Sequence, residues 1–585
     1  MSELSADQLF ALALEHHRAG RVAEAARRYR AALEREPEHA DSLHLLGVVA
    51  LQTGDLANAL SLVQRAVALR PDAAVCRNNL GQVLERLGKD ADAAGCYEAA
   101  IELEPAYAEA HNNLGLVRAR QDRLADAEAL YLKATDLDPV YAEPLTNRGN
   151  LLKDRGDLDA AIGCYRRAVE LRPDLSGVHS NLLLTLHYHP DYSPADLLRE
   201  HRAWAERHVA PLAATRRAHD NGRDPERRLR VGYVSPDFRE HSVARFVLPL
   251  FREHDRRQVE VLAYSDVTRP DAVTGLLRNH VDRWRDIATL GDEQLADVVR
   301  ADGVDVLVDL AAHSAHNRLL AFARKPAPVQ FTYLAYCSTT GVDAIDYRVT
   351  DRILDPPTES GHYTEAPVHV PHCYWCYSVP PLPDSVLPKA ERAPGPPTFG
   401  CLNNFAKVSD VTLDLWGRLL RRVPESRLLV YARAETHRDR VRRALHAAGV
   451  EKSRAGFVGY QTLADYLGTY RQIDIALDPH PYGGGTTTCD ALWMGVPVVS
   501  LAGRTAVSRA GATLLTNVGL ERLVAQTGEQ YLELAAGLLR DASGLAELRR
   551  QLRSRIEASP VMDAPQFARD LEAAFRIAWR AWCGR

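Results

Sequence analysis

The stretch Asp478-Pro-His-Pro-Tyr-Gly-Gly-Gly-Thr-Thr-Thr-Cys-Asp490 decides how the second half of the chain folds. It follows a short apolar run, Ile473 to Leu477, which predicts a buried strand. A helix is predicted from Thr486 to Met494 and a further strand from Val496 to Leu501, which completes a βαβ unit. The three consecutive glycines between strand and helix allow a ligand to approach the backbone closely.

A helix that begins directly after a glycine turn is suited to bind phosphate. Its first N–H groups have no partner within the helix, and they carry partial positive charge. Thr486 and Thr487 add hydroxyl groups at the same place. A purely structural turn is the alternative, and the glycine run alone does not decide between the two.

The composition is that of an ordinary globular protein. The 585 residues predict about three or four domains. The net charge of −5 gives no electrostatic basis for binding nucleic acid or an anionic membrane. Nine cysteines without a paired framework favour a reducing, cytoplasmic location. We expect no signal peptide and no transmembrane helix, because the first residues are acidic and no long apolar run exists.

The first part of the chain repeats every 34 residues. Each unit ends in a proline, and four of the five carry a small–aromatic–small pattern such as Ala93, Tyr97 and Ala100 upstream of it; the second unit has Val63 in place of the aromatic residue. The repeated prolines are Pro37, Pro71, Pro105, Pro139 and Pro173. This pattern resembles the tetratricopeptide repeat, which implies paired helices stacked into a superhelix with a concave face. We therefore predict five repeats and a cap over residues 1–190, followed by a connecting helix and linker over 191–228.

A second 34-residue period lies within the first. Asn79, Asn113, Asn147 and Asn181 each fall on the first helix of a unit. Because an amide side chain both donates and accepts hydrogen bonds, this ladder predicts binding of an extended acceptor peptide by its backbone. The alternative is that asparagine is merely tolerated at this position.

Two alternations of strand and helix follow, and they predict two Rossmann-like lobes over residues 229–385 and 398–543. A segment with seven prolines, 379–397, is expected to link them, and the tail over 544–585 is predicted to be helical. In such sheets ligands bind beyond the carboxyl ends of the strands, so a cleft between the lobes is the expected site.

Polar residues follow several of the predicted strands. His241 comes after the first strand, and Asp309 and His313 after the third. Asn404 and Lys407 follow the first strand of the second lobe. Each has an ordinary alternative: a lone histidine is more often packed, a lysine solvated, and a strand-end aspartate a turn cap.

Together these residues indicate leaving-group chemistry. A lysine at 407 and a helix start at Thr486 would neutralise a departing diphosphate. No acidic cluster stands near the glycine turn, so we expect no metal ion and no cofactor. Cys373 and Cys376 lack the second ligand pair of a zinc site and are expected to pack a loop.

The repeats joined to these motifs resemble the O-linked N-acetylglucosamine transferases, most closely their bacterial homologues, with the plant Spindly-type O-fucosyltransferases as relatives. The motifs that carry the resemblance are Val231 to His241, Arg324 to Gln330, Gly400 to Lys407, and Gly484 to Asp490 with the Ala-Leu-Trp-Met-Gly-Val-Pro that follows. The resemblance implies a GT-B fold and an inverting, metal-independent transfer of N-acetylglucosamine from UDP-N-acetylglucosamine to Ser or Thr of proteins.

The resemblance also implies roles for individual residues. His241, Asp309 and His313 match positions facing the cleft, and Lys407 matches the lysine that stabilises the diphosphate. The matched donor-binding positions are Asn404, Gly484, Gly485, Thr486, Thr487 and Asp490. His241 and Asp309 are both candidates for the general base. The asparagine ladder matches the one said to bind acceptor peptide in this family.

The chain departs from the family pattern in three places. A glycine-rich loop is replaced by Ala335-Tyr-Cys-Ser-Thr-Thr-Gly341, and a histidine before the threonine pair is Gly485. Leu463 and Tyr466 stand where the family carries Lys and His, and Tyr466 is predicted to stack on the base. Two alternatives therefore stay open: transfer of fucose from GDP-fucose, and a tetratricopeptide scaffold whose catalytic lobes have lost activity.

Overall fold

The computed structural model describes residues 4–379 and 395–584. The chain divides into two compact units, the first ending at Leu151 and also containing Glu170–Arg172, the second containing the rest. Most of the predicted linker over 379–397 lies outside the described residues.

Ten helices carry the five repeats, and each repeat contributes two. Each second helix ends two residues before a repeated proline, which cannot continue a helix because its ring blocks the preceding turn. The helices are α1 (Ala6–Arg18), α2 (Val22–Arg35), α3 (Ala40–Gln52), α4 (Leu56–Leu69), α5 (Ala74–Arg86), α6 (Asp90–Leu103), α7 (Ala108–Arg120), α8 (Leu124–Leu137), α9 (Ala142–Arg155) and α10 (Leu158–Leu171).

The small and aromatic positions of the repeats pack as their pattern predicts. Ala93, Tyr97 and Ala100 are fully buried. The Tyr97 ring lies against Gly81 of the preceding helix, where a Cβ atom would come within 2.5 Å of the ring. Only glycine permits this approach, so the Leu-Gly pair and the aromatic residue form one packing unit.

Helices α11 (Ser176–Leu186) and α12 (Pro194–His208) follow the repeats. Their apolar residues Leu183 and Trp204 share one hydrophobic core with Tyr165 of α10 and with Leu262 and Leu307 of the first sheet. This shared core explains why the boundary between the compact units falls near Leu151, whereas the repeat pattern alone places it at residue 190.

The first lobe contains a seven-stranded sheet whose described pairings are all parallel. The strand order is β3-β2-β1-β4-β5-β6-β7. The elements in chain order are β1 (Leu229–Ser235), α13 (Ser242–Glu253), β2 (Val259–Ser265), α14 (Ala272–Arg278), β3 (Arg283–Asp286), α15 (Asp292–Ala301), β4 (Val306–Asp309), α16 (Leu319–Ala323), β5 (Val329–Thr332), β6 (Tyr347–Thr350) and β7 (Ala366–His369).

The second lobe contains a six-stranded parallel sheet in the order β10-β9-β8-β11-β12-β13. Its elements are β8 (Thr398–Cys401), α17 (Asp410–Arg422), β9 (Arg427–Tyr431), α18 (Glu435–Ala447), β10 (Ala455–Val458), α19 (Leu463–Thr469), β11 (Ile475–Leu477), α20 (Thr486–Trp493), β12 (Val498–Leu501), α21 (Ala510–Asn517), β13 (Val524–Ala525) and α22 (Gly528–Arg540). The predicted fold class, a tetratricopeptide helix array followed by two Rossmann-like lobes, is confirmed.

The chain ends in two helices that pack on different lobes. Helix α23 (Ala542–Glu557) packs against α20 of the second lobe. Helix α24 (Ala564–Cys583) packs against α13 of the first, where the Trp579 indole N–H donates to the Asp224 carbonyl oxygen at 3.0 Å. Within the described ranges, no helix has the length and apolarity that a bilayer span requires.

Candidate functional site

A cavity of about 320 Å³ lies between the two lobes, and we call it the interlobe cavity. It is reached by the carboxyl ends of strands from both sheets, where parallel sheets place their ligands. The residues from the first lobe and α11 that line it include Leu184, Tyr188, Asp237, His241, Ser242, Phe246, Ala335, Tyr336, Cys337 and Trp375. Those from the second lobe include Asn403, Asn404, Lys407, Tyr482, Gly483, Gly485, Thr486 and Thr487.

The glycine turn is fixed by a buried carboxylate at the end of β11. Asp478 accepts hydrogen bonds from the Gly484 N–H at 2.6 Å and from the Ser500 hydroxyl at 2.7 Å. Burial raises the pKa of Asp478 to about 6, although these bonds and Lys407 act in the opposite direction. The Gly484 amide is therefore committed to the turn, whereas its neighbours Gly483 and Gly485 line the cavity.

The start of α20 faces the interlobe cavity. Gly485 occupies its N-cap position and has no side chain to satisfy the first amides of the helix. Thr486 and Thr487 line the cavity, and the Thr487 hydroxyl donates to the Asn403 side-chain oxygen at 2.8 Å. A Cβ atom at Gly485 would lie 3.5 Å from the Trp375 ring nitrogen, an ordinary contact, so packing does not require glycine there.

Lys407 stands beside this helix start, at the end of a short turn after β8. Its ammonium donates to the Gly483 carbonyl oxygen at 2.9 Å and lies 4.4 Å from the centre of the Tyr482 ring. Burial lowers the pKa of Lys407 to about 8, and the nearby Asp478 opposes this shift. Asn404 begins the same turn, because its side-chain oxygen accepts from the Ala406 N–H at 3.1 Å.

His241 lies in the opposite wall of the cavity, at the N-cap position of α13. Its Nδ1 atom accepts from the Val243 N–H at 3.3 Å and lies 3.5 Å from an Asp237 carboxylate oxygen. Burial lowers its pKa, and Asp237 partly opposes the shift. The ring is therefore neutral at neutral pH, with the side chain 39% exposed.

An apolar side pocket of about 300 Å³ adjoins the cavity and shares His241 and Ser242 with it. Its other walls are mainly apolar and include Leu248, Val273, Leu276 and Leu463. A flat aromatic group fits such surroundings. In the sequence, Leu463 stands out only as a departure from the family pattern, and no motif indicates this pocket.

The loop that replaces the family's glycine-rich segment forms one rim of the cavity. Leu334 and Ala335 both adopt left-handed backbone, with φ of 61° and 53°. Residues other than glycine enter this region at a cost, so the loop is held in a conformation that its own sequence disfavours. The Tyr336 and Cys337 side chains that follow line the cavity.

Two residues predicted to face the cleft do not line the cavity. Asp309 is 1% exposed and accepts from the Ala311 and Ala312 amides, at 3.1 and 2.9 Å, and from the Thr332 hydroxyl at 2.9 Å. Burial raises the pKa of its carboxyl group to about 6. Asp309 therefore caps the turn after β4, which was the structural alternative.

His313 is also an interior residue. Its ring is fully buried and lies 3.0 Å from the Ser180 hydroxyl at Nδ1 and 2.7 Å from the Thr340 carbonyl oxygen at Nε2. Both ring nitrogens are thus engaged in joining α11 to the first lobe. The prediction that His313 faces the cleft is wrong, because this side chain is packed under the rim loop.

Asp490 and Tyr466 belong to a hydrogen-bonded cluster that joins the two lobes. The Asp490 carboxylate accepts from the Arg245 guanidinium, from the Tyr377 hydroxyl at 2.6 Å and from the Tyr466 hydroxyl at 3.1 Å. Arg245 and Tyr377 belong to the first lobe, and Asp490 is 1% exposed. These two predicted donor contacts are therefore engaged with each other and do not line the cavity; the base-stacking role of Tyr466 has no support in this geometry.

In the first compact unit, the asparagine ladder is hydrogen-bonded along its length. The Asn113 amide donates to Asn78 at 3.0 Å, and the Asn147 amide donates to Asn112 at 2.8 Å. Asn79 lies 2.6 Å from the His44 ring. Asn181 belongs to the other unit and lies within α11. Acceptor binding by the ladder stays a prediction.

Among the residues of the cavity wall for which the sequence predicted no role are Asp237, Asn403, Tyr482 and Trp375. Three of them lie within one to four residues of a predicted site residue. The strand ends that carried the predictions therefore also signalled these neighbours. Trp375 lies beside a cysteine pair that was interpreted only as loop packing.

Comparison with known proteins places this site in a family. The model of glycosyl transferase family 41 matches residues 203–378 and 397–571, and tetratricopeptide repeat models match residues 10–74, 78–142 and 142–175. The structure is similar to that of a solved O-GlcNAc transferase mutant of Thermobaculum terrenum, with a TM-score of 0.80 and 38% sequence identity. The alignment covers 88% of this chain and 98% of that one.

Two of the curated relatives come from plants. A probable UDP-N-acetylglucosamine–peptide N-acetylglucosaminyltransferase SPINDLY of Petunia hybrida is 38% identical over 419 residues, which is 70% of this chain. The corresponding SEC protein of Arabidopsis thaliana is 28% identical over 61% of this chain. The chain spans 45% and 38% of the length of these two relatives.

Proposed function

The chain belongs to glycosyl transferase family 41, and from this premise we propose that it transfers N-acetylglucosamine from UDP-N-acetylglucosamine to Ser or Thr hydroxyl groups of proteins. The observation that supports the proposal most strongly is the convergence of three groups on the interlobe cavity. Lys407, the open start of α20 and His241 all line it, and they come from both lobes.

The leaving diphosphate is stabilised at the glycine turn. As the bond between the sugar C1 atom and the diphosphate oxygen breaks, negative charge develops on the diphosphate. The Lys407 ammonium and the first amides of α20 lie on the same side of the cavity and are already positioned to meet it. Stabilisation by these groups does not require a metal ion, and metal independence is part of the proposal.

The acceptor hydroxyl attacks C1 from the opposite face, next to His241. A single displacement forms the new C1–oxygen bond while the diphosphate departs, which inverts the configuration at C1. The proton of the attacking hydroxyl must then pass to a base. The neutral His241 ring can accept this proton at Nε2 only with its own proton on Nδ1. In that tautomer Nδ1 gives up the hydrogen bond from the Val243 N–H and donates instead to the Asp237 carboxylate, 3.5 Å away. We therefore assign the base to His241, with Asp237 as its positioning residue, in place of the buried Asp309.

The names of the two plant relatives favour UDP-N-acetylglucosamine as the donor. One observation favours a second donor, GDP-fucose. Tyr336 and Cys337 narrow the rim of the cavity where a glycine-rich loop was expected, and a sugar without a 2-acetamido group needs less room there. Acceptor peptides are proposed to bind along the asparagine ladder.

Two measurements on the purified chain test the proposal. Calorimetric titration with UDP and with GDP identifies the nucleotide. Mass spectrometry of proteins incubated with each nucleotide sugar then identifies the transferred group, with His241→Ala as the inactive control. We expect UDP binding and an N-acetylhexosamine adduct that the control lacks. GDP binding with a deoxyhexose adduct supports the second donor, and absence of any adduct contradicts transfer altogether.

A further inference from the structure

A second cavity of about 210 Å³ lies on the other side of the glycine turn, and we call it the histidine cavity. It shares no lining residue with the interlobe cavity. Its walls are the loop between α11 and α12, the segment His480–Pro481, and the chain after β12 and β13. The lining residues include His187, His189, Tyr192, His480, Arg504, Ser508, Gln526, Thr527 and Gly528.

The lining is complementary to an anion. Arg504 is exposed at its edge, and the N-terminus of the 13-residue helix α22 opens into it at Thr527 and Gly528. In the part of the chain that the structure describes, no aspartate or glutamate lines this cavity. His189 is already engaged, since its ring lies 3.1 Å from Asp159.

His187 provides an independent indication of a ligand. It is only 3% exposed, yet neither ring nitrogen has a hydrogen-bond partner among the described residues. A buried unpaired polar group destabilises a fold, so a position that retains one calls for an explanation. A ligand oxygen entering the cavity would restore a hydrogen bond to this ring.

The histidines also restrict the chemistry of the ligand. Burial lowers the pKa of both His187 and His480, so both rings are neutral at neutral pH. The His480 Nδ1 atom lies 3.3 Å from the Leu501 carbonyl oxygen and donates to it, which leaves Nε2 as an acceptor. A protonated phosphate group both donates and accepts hydrogen bonds and carries negative charge, so it matches the neutral rings, Arg504 and the helix start together.

We propose that the histidine cavity is a second binding site, separate from the catalytic one, for the phosphate group of a small molecule. Its occupancy acts on the interlobe cavity through residues of the two cavity walls that contact each other. The His187 ring packs against Tyr336, with ring centres 4.7 Å apart, and Tyr336 lines the interlobe cavity.

The second connection between the two cavities is the segment that leads into the glycine turn. The His480 carbonyl oxygen accepts from the Ser409 hydroxyl and from the Thr412 hydroxyl at 2.9 Å. Ser409 lies two residues after Lys407, and Tyr482, whose ring contacts the Lys407 ammonium, lies two residues after His480. A ligand beside His480 therefore acts on the segment that positions the catalytic cation.

Calorimetric titration of the full chain with inorganic phosphate tests the proposal. We expect Arg504→Ala to weaken phosphate binding by about tenfold, because a charge-assisted contact is lost. Arg443→Ala removes the same charge from an exposed position on α18 and should leave binding unchanged. Phosphate bound in the interlobe cavity would depend on Lys407 instead, so Arg504→Ala should weaken phosphate binding by the same factor in the Lys407→Ala background.

A second variant addresses the buried ring. His187→Phe keeps a ring against Tyr336 but removes both nitrogens, and it should weaken phosphate binding about as much as Arg504→Ala does. If this variant does not fold, comparison of phosphate binding by Arg504→Ala and by Arg443→Ala still tests the proposal. The proposal is overturned if the wild type binds no phosphate, or if Lys407→Ala abolishes binding while Arg504→Ala does not. Titration with glycerol phosphate and with a phosphoserine peptide distinguishes the sources, and preference for the peptide contradicts the small-molecule assignment.

Discussion

The Lys407 ammonium nitrogen lies 2.9 Å from the Gly483 carbonyl oxygen, so the cation is held against the glycine turn before any donor is bound. The Tyr482 ring supports it from one side. Because the charge is already in place, it does not have to move when negative charge develops on a departing diphosphate. This relationship underlies the first of the predictions below.

The rate of transfer should fall at alkaline pH. Burial lowers the pKa of Lys407 to about 8, so its charge is present below that pH and is lost above it. We expect kcat/KM to fall about tenfold per pH unit once this pKa is passed. Lys407→Arg keeps the charge, and its pH profile should lack this fall even at a lower absolute rate. A wild-type profile that stays level through the alkaline range argues against a titrating lysine.

Substitution of Asp490 should lower the free energy of unfolding and should not directly weaken donor binding. Asp490→Asn leaves the Arg245 guanidinium, whose side chain is 16% exposed, without its charged partner. Breaking a buried pair in this way should lower the free energy of unfolding by about 3 kcal/mol, measured by denaturant titration.

The double variant Arg245→Gln/Asp490→Asn is the matched control, and it should recover part of that loss. The outcome against this assignment is an Asp490→Asn variant of unchanged stability with weakened nucleotide binding. That result would restore the donor-binding role that the family resemblance implies for Asp490.

Asp309 and His241 should show opposite patterns on substitution. Asp309→Ala removes the acceptor of three hydrogen bonds in the interior. We expect about 3 kcal/mol less stability and a kcat of the folded fraction within about twofold of wild type. His241→Ala should cost at most about 1 kcal/mol of stability and lower kcat by about 10²-fold. If Asp309→Ala abolishes turnover in a fully folded protein, its catalytic role must be reconsidered.

Ala335→Gly should stabilise the protein. Ala335 has a φ of 53°, and glycine adopts this conformation without the steric cost that alanine bears. We expect a gain of about 0.5–1 kcal/mol in the free energy of unfolding, seen as a higher melting temperature. Ala546→Gly, at an exposed position inside α23, is the control and should destabilise by about 1 kcal/mol. Equal losses in both variants would show that the rim loop is not strained at this residue.

The sequence predicted the central strands well because burial on both faces gives them continuous apolar runs. Leu229–Ser235 and Val259–Ser265 are such runs, and they form β1 and β2. The strands it missed lie at sheet edges or are very short. Arg283–Asp286 reads Arg-Trp-Arg-Asp and is half exposed, and Val524–Ala525 has two residues. Neither segment has the alternation of apolar and polar residues that predicts a strand.

The candidate site was predicted in part for a similar reason. Position after a strand located His241, Asn404, Lys407 and Thr486 at one level of the fold, and all four line the cavity. The same rule misplaced Asp309, because a strand-end carboxylate also caps the following turn, and only coordinates show which way it points. The first-lobe partners of Asp490 lie 113 and 245 residues away in the sequence, so no local pattern indicates these hydrogen bonds.

The central claim is that the Lys407 charge stabilises the leaving diphosphate, and the turnover rate of Lys407→Met measures it most directly. Methionine keeps the unbranched side chain but removes the ammonium. With donor and acceptor both saturating, we predict a rate at least about 10²-fold below wild type, with unchanged thermal unfolding. A correctly folded Lys407→Met protein that transfers sugar at nearly the wild-type rate would contradict the account.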